Sequence, residues 1–294
     1  MRVIRLGTRE SGLALAQARL AANAIRGLCP DIEVELSAMR TSGDLTLDSP
    51  LGAVGGKGLF TKELEAALAD GRIDLAAHSY KDMPIPGNPE LPILAVLARE
   101  DARDVLILPE NGGVAARLPL GSSSRRRIVQ LALLYPDWPT APIRGNLQTR
   151  LGKLDSGEFG GLLLAAAGLK RLGLWQRVSR VFSPAEMLPA ACQGIIALQG
   201  RREGDYGFLA GLNDPDAWDA SIAERAFILG LGGGCVSPSG AHAVVDGGEI
   251  RLSGLYAGPD ERIRRGELTG RRETAAAIGG KLAEQLLVEG RRSG

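Results

Sequence analysis

Short apolar strands and amphipathic helices alternate along this chain, and the alternation starts twice. In the first series Val3 to Leu6 reads as a strand. Ser11 is placed to cap a helix with Leu13, Ala16, Leu20 and Ala24 on one side. Ile32 to Met39 alternates apolar and polar residues, as a strand does, and a glycine-rich loop from Asp48 to Gly58 follows. Thr61 to Ala69 reads as a helix, Ile73 to Ala77 as a buried strand, and Leu91 to Leu97 as another strand. The second series begins near Arg103. Val105 to Leu108 is a strand, Gly121 to Ser124 opens a helix, and Ala141 to Arg144 forms a strand edge. Asn146 caps a further helix, and Gly161 to Ala167 reads as a buried strand. Strand–helix–strand order of this kind predicts mainly parallel α/β sheets.

The pattern changes after Asn213-Asp214-Pro215-Asp216. Ala217 to Leu229 is helical, and two short strands, Ala241 to Val245 and Glu249 to Leu255, flank the turn signal Asp246-Gly247. An amphipathic helix with Ile278, Leu282 and Leu286 ends a small α+β module. The 35 basic and 34 acidic residues leave a net charge of +1, so no global field draws in nucleic acid or an anionic membrane. Three scattered cysteines, Cys29, Cys192 and Cys235, give no disulfide framework and fit a reducing, cytoplasmic setting. The first ten residues show no apolar core of a secretory signal. No run reaches the roughly 18 apolar residues of a membrane span. Two histidines and no paired cysteine spacing argue against a metal site.

Local clusters carry the chemistry. Arg125-Arg126-Arg127 falls in the first turn of a predicted helix, where the dipole favours anions. The serines before it and the helix N–H groups make an anion site, the alternative being a solvated basic corner. Arg144, Arg150 and Arg9 lie near the carboxyl ends of predicted strands, where arginine recognises carboxylate or phosphate. Neither a Walker A loop around Lys57 nor a Gly-x-Gly-x-x-Gly fingerprint at Gly56 or Gly230 is complete, so carboxylates are the better ligand class. Asp82 follows a buried strand and precedes Pro84, where catalytic side chains sit in open α/β sheets, the alternative being an ordinary turn residue. His78 reads as a structural histidine. Cys235 follows three glycines, Gly232 to Gly234, so a large ligand can reach its thiol, the alternative being a buried free cysteine acting as a small hydrophobe.

Taken together, these motifs resemble porphobilinogen deaminases. The resemblance rests on Thr8-Arg9-Glu10-Ser11, Val54-Gly55-Gly56-Lys57-Gly58-Leu59-Phe60 and His78-Ser79-Tyr80-Lys81-Asp82-Met83-Pro84. It continues through Ser123-Ser124-Arg125-Arg126-Arg127, Ile143-Arg144-Gly145-Asn146, Gly168-Leu169-Lys170-Arg171-Leu172-Gly173 and Gly233-Gly234-Cys235. It implies condensation of four porphobilinogen molecules into hydroxymethylbilane with release of ammonia, on a growing polypyrrole. It also implies one covalent dipyrromethane cofactor per chain, held by a thioether to Cys235. A thiolate is a soft carbon nucleophile, suited to capture the azafulvene that loss of ammonia generates.

The resemblance further assigns Asp82 as the catalytic carboxylate. Lys81, Ser124, Arg126, Arg127, Arg150 and Asp44 are assigned to the cofactor. Arg9, Ser11, Lys57, Phe60, Arg144, Arg171 and Gln193 are assigned to substrate. The implied fold is α/β, with two hinged type II periplasmic-binding-protein-like domains and a small C-terminal α+β domain. Its implied boundaries are 1–98 with 194–215, 103–188, and 217–294. A monomer without nucleic-acid or membrane partners is expected. Gly12, Ala102, Arg125 and Cys192 depart from the usual pattern, and none of them removes a proposed catalytic group. A non-catalytic two-lobed solute-binding protein and an unrelated anion-binding α/β enzyme are the competing readings. Neither predicts a modified Cys235.

Overall fold

A computed structural model describes residues 2–41, 61–110, 118–232, 238–258 and 262–292. The chain forms two compact units. One comprises residues up to Glu100 together with Gly194–Trp218, and the other comprises Asp101–Gln193 together with Asp219 onward.

The first unit opens with β1 (Arg2–Arg9), α1 (Gly12–Leu28) and β2 (Ile32–Met39). Next come α2 (Lys62–Ala69), β3 (Leu75–Ser79), a 3₁₀ turn over Tyr80–Asp82, and β4 (Ile93–Val96). The second unit begins with β5 (Asp104–Ile107), β6 (Leu120–Gly121), α3 (Arg125–Leu134) and β7 (Thr140–Ala141). It continues through α4 (Leu147–Asp155), β8 (Gly161–Ala165), α5 (Ala166–Arg171) and β9 (Arg180–Val181). The chain then returns to the first unit as β10 (Ile196–Gly200). The last elements are α6 (Pro215–Gly230), β11 (Ser239–Asp246), β12 (Glu249–Ala257), β13 (Ile263–Arg271) and α7 (Ala275–Arg292).

The first sheet has the order β2-β1-β3-β10-β4 and the second β7-β6-β8-β5-β9. In each, four strands run parallel and one runs antiparallel to both its neighbours, β10 in the first and β5 in the second. The mixed α/β class with a small C-terminal α+β module is as expected.

Helical spacing explains why α1 docks. Ala18, Ala21, Ala22 and Ile25 form one stripe against Ile4, Leu6, Val34, Leu75 and Leu198 of the sheet. Leu64, Ala67 and Leu68 of α2 cover the other face, over Ile73 and Ala76. In the second unit Leu162, Leu163 and Leu164 are all buried, because helices and loops pack on both faces of β8.

Two sequence expectations shift. The segment read as one strand from Gly161 to Ala167 is β8 running into α5. The C-terminal sheet has three antiparallel strands where two were read. Glycines set how closely its helices approach. A Cβ at Gly254 would stand 2.7 Å from the Phe227 ring and 2.9 Å from Leu282.

Candidate active site

In the first unit, β1 and β3 are parallel neighbours, so the residues that follow them emerge at one sheet edge. Arg9 closes β1, and Asp82 ends the 3₁₀ turn after β3. Both line an open cavity with Gln17, Thr61, His78, Ser79 and Met83. The turn is fixed by its backbone, with Tyr80 N–H donating to Ile195 O at 3.0 Å and Met83 N–H to Tyr80 O at 3.2 Å. Gln17 reaches from α1 to the Ser79 hydroxyl at 2.9 Å through its amide nitrogen and at 3.0 Å through its oxygen. Ser11 caps α1 and accepts from Ala14 N–H. Asp82 is exposed and Lys81 is half-buried.

His78 is buried beneath this edge. Burial pushes its imidazole down to about 4, opposed by Gln199 and reinforced by the charge of Arg9. It is therefore neutral near pH 7. Its Nε2 and the Oε1 of Gln199 are both buried without a hydrogen-bond partner.

In the second unit β6, β7 and β8 are parallel, and the loops after them share an edge. Ser124, Arg126 and Arg127 follow β6, Arg144 and Arg150 follow β7, and Arg171 ends the helix after β8. Ser123 ties two of these loops together, its hydroxyl donating to Ile143 O at 2.7 Å and accepting from Ile143 N–H at 3.0 Å. Ser124 caps α3 and Asn146 caps α4. Gly145 has φ of 110° and directs its carbonyl to Arg150 Nε at 2.8 Å.

Arg126 and Arg127 are not a solvated corner. Both are buried, and both donate to Asp104, which has no exposed surface. Arg126 Nη1 also donates to Leu188 O at 2.5 Å, and Arg127 Nη1 to Leu163 O at 2.8 Å. Burial raises the Asp104 pKa, but the two guanidiniums override it and hold the carboxyl well below the usual range. One carboxylate against two guanidiniums leaves a net positive charge at the start of α3. Arg125 is exposed. Gln193 donates to the same carboxylate at 2.9 Å and to Ala102 O at 2.7 Å.

The sequence predicts an external anion here, whereas the structure supplies an internal one, Asp104. Asp104 lies 22 residues before Arg126, a separation with no periodic meaning. A charged residue opening a buried strand was the one available signal.

The family model for the dipyrromethane cofactor-binding domain of porphobilinogen deaminase matches residues 4–206, and that for the C-terminal domain matches residues 218–288. The chain belongs to the porphobilinogen deaminase family. Porphobilinogen deaminase of Acetivibrio thermocellus is 50% identical over 97% of this chain and 98% of its own length. That of Bordetella parapertussis is 45% identical over 98% and 93%. Among solved structures, the periplasmic VFT2 domain of Bordetella pertussis BvgS aligns with 69% of this chain and 82% of its own, at 13% identity and a TM-score of 0.39. That likeness is too distant to bear on function. Four residues that the resemblance to porphobilinogen deaminases singles out, Asp44, Lys57, Phe60 and Cys235, lie outside the described residues, as does the Asp48 to Gly58 loop.

Proposed function

We propose that this chain uses Asp82 as its catalytic carboxylate and its strand-end arginines as carboxylate receptors. The reaction is that of its family. Four porphobilinogen molecules are condensed head to tail into hydroxymethylbilane with release of ammonia, a transferase step of tetrapyrrole biosynthesis. The cofactor is dipyrromethane, which when bound supplies the pyrrole primer for elongation.

The residues present fit such a group. Its acetate and propionate arms need cations and N–H donors, and the start of α3 combines a buried excess positive charge with first-turn N–H groups. Ser124, Arg126, Arg127 and Arg150, with Lys81 and Asp44, would hold it, and Cys235 would carry the thioether. Arg9, Ser11, Arg144, Arg171 and Gln193, with Lys57 and Phe60, would bind substrate. The Asp82 carboxylate accepts pyrrole N–H bonds and stabilises the positive charge that develops as ammonia departs. It also holds and returns a proton during carbon–carbon bond formation.

The observation that carries this reading is the pairing of Arg9 with Asp82 around one cavity at the carboxyl ends of β1 and β3. The three sheets support a division into domains 1–98 with 194–215, 103–188, and 217–294. A cytoplasmic setting fits the cysteine usage, and a monomer is the expected state. Among the described residues no helix is long and apolar enough to cross a membrane.

The test is incubation of purified protein with porphobilinogen, with ammonia and product followed together and the intact mass recorded first. Ammonia release, hydroxymethylbilane and a mass heavier by one dipyrromethane are expected, and Cys235→Ser should lack the added mass. An unmodified wild-type protein that makes product would reject the Cys235 assignment. No consumption of porphobilinogen would reject the whole reading.

A further inference from the structure

Two buried carboxylates with no part in the chemistry above grip adjacent residues of one segment. Glu224 of α6 has no exposed surface and accepts from Cys192 N–H at 2.5 Å and from Ala243 N–H of β11 at 2.7 Å. Asp104 accepts from the next residue, Gln193, at 2.9 Å while also holding Arg126 and Arg127. Just beyond them, at Gly194, the chain passes back to the first unit.

The segment between the two carboxylates is conformationally demanding. Cys192 has φ of 60°, and among the described residues it is the one non-glycine with positive φ. Such a backbone persists only where its surroundings over-determine it. Glu224 contributes to that by binding the residue's own N–H. Stability alone does not call for charge here, because well-packed apolar groups commonly match or exceed a buried ionic cluster. What the carboxylates supply is direction. A path of hydrogen bonds, bridged by the Cys192–Gln193 peptide link, runs from Ala243 through Glu224, Cys192, Gln193 and Asp104 to Arg126 and Arg127. One end is the strand that begins just after Cys235 in the chain. The other is the arginine pair at the start of α3.

We infer that Asp104 and Glu224 are positioning residues that register residues 192–193 against both the arginine pair and β11, and thereby set the geometry in which primer and substrate carboxylates are bound. This rests on the function proposed above.

Full-length Asp104→Glu and Glu224→Asp keep each charge and displace each carboxylate by one methylene. The measurements are intact mass, kcat and KM for porphobilinogen, and thermal midpoint. A misplacement of about 1 Å remote from the reacting atoms costs on the order of 10²-fold. The expected loss in kcat/KM is of that size and is carried mainly by KM, with a smaller share of primer-bearing protein in chains that still unfold cooperatively. A lowered thermal midpoint with wild-type KM and primer occupancy in both variants would reduce the pair to a structural role and overturn the inference. Failure of both to fold would overturn it as well, since positioning requires a folded chain with impaired binding. If one fails to fold, the other decides. A wild-type protein that neither carries primer nor consumes porphobilinogen would reject the family reading, whereas an active wild type with unchanged variants rejects only the positioning role.

Discussion

Arg127 places both Nε, at 3.1 Å, and Nη2, at 2.7 Å, on a single oxygen of Asp104, leaving the other oxygen to Arg126 at 2.7 Å. The carboxylate is thus divided between two guanidiniums, all three side chains being at least nine-tenths buried. Removing different members therefore has unequal consequences. Arg127→Leu leaves a neutral Asp104–Arg126 pair. Asp104→Asn leaves two buried cations facing each other. The second should cost roughly 3–5 kcal/mol and the first distinctly less. Urea unfolding at unchanged m-value measures both. The reverse order of midpoints would contradict the charge division.

Acid should destabilise the second unit through carboxyls whose pKa is depressed. Asp101 is lowered from 3.8 to about 2, chiefly by its hydrogen bonds from Arg103 with help from Lys170, against the opposing effect of burial. Asp104 is lowered further in the same direction. A depressed carboxyl contributes stability that is complete above its unfolded pKa and is lost as pH falls through the folded one. The thermal midpoint should hold steady above about pH 5 and fall between about pH 4 and pH 2. Asp101→Asn should make that fall shallower. An unchanged slope in the variant would remove Asp101 from the effect.

Arg144 is the clean probe of carboxylate recognition, because it is half-buried and no part of the Asp104 cluster. Arg144→Leu should raise KM for porphobilinogen by about tenfold or more, in line with the ~2–5 kcal/mol lost when a charged partner is removed from a desolvated pair. Its free energy of unfolding should stay within about 0.5 kcal/mol of wild type. Unchanged kinetics would leave Arg144 a solvated surface residue with no part in binding.

Gly194 has φ of 90°, and a Cβ there would collide with the backbone carbonyl of Glu100. Glu100 N–H donates to Gly194 O at 3.1 Å, so the two chain crossings are fastened side by side. Gly194→Ala adds left-handed strain to that collision. It should destabilise by on the order of 2 kcal/mol or more. A thermal scan showing wild-type stability would refute this packing.

Local signals made much of this architecture legible. Ile32–Met39 is a strand with the bounds its alternation predicts, and Ser11, Ser124 and Asn146 cap the helices they precede. The hairpin signalled by Asp246-Gly247 forms, its two-residue turn being Gly247-Gly248 between the paired Asp246 and Glu249, with Gly247 at φ of 56°. β13 was not legible because Ile263 to Arg271 is rich in charge and glycine, and its pattern reflects an edge strand half open to solvent. The antiparallel places of β5 and β10 escaped for a different reason. Pairing of Ile196 with Ser79, or of Asp104 with Ala165, is decided by long-range topology and leaves no periodic trace in either segment. In the site, the motif residues around Asp82 and Arg126 were visible, while their supports Gln17, Asp104 and Glu224 were not. Each support acts across tens of residues on a partner that no local spacing identifies.

Participation of the Asp82 carboxylate in the chemistry is tested by single-turnover addition of porphobilinogen to primer-bearing protein. Asp82→Asn keeps the size of the side chain and the turn that Tyr80 and Met83 close. The primer content of the variant is verified by intact mass, so that a rate is compared only between loaded chains. Asp82→Asn should lose roughly 10²-fold or more in the addition step, the scale expected when an electrostatic or acid–base group is removed, with an unfolding midpoint close to wild type. Addition at the wild-type rate by primer-bearing Asp82→Asn would contradict that participation and leave Asp82 as a turn residue at the end of β3.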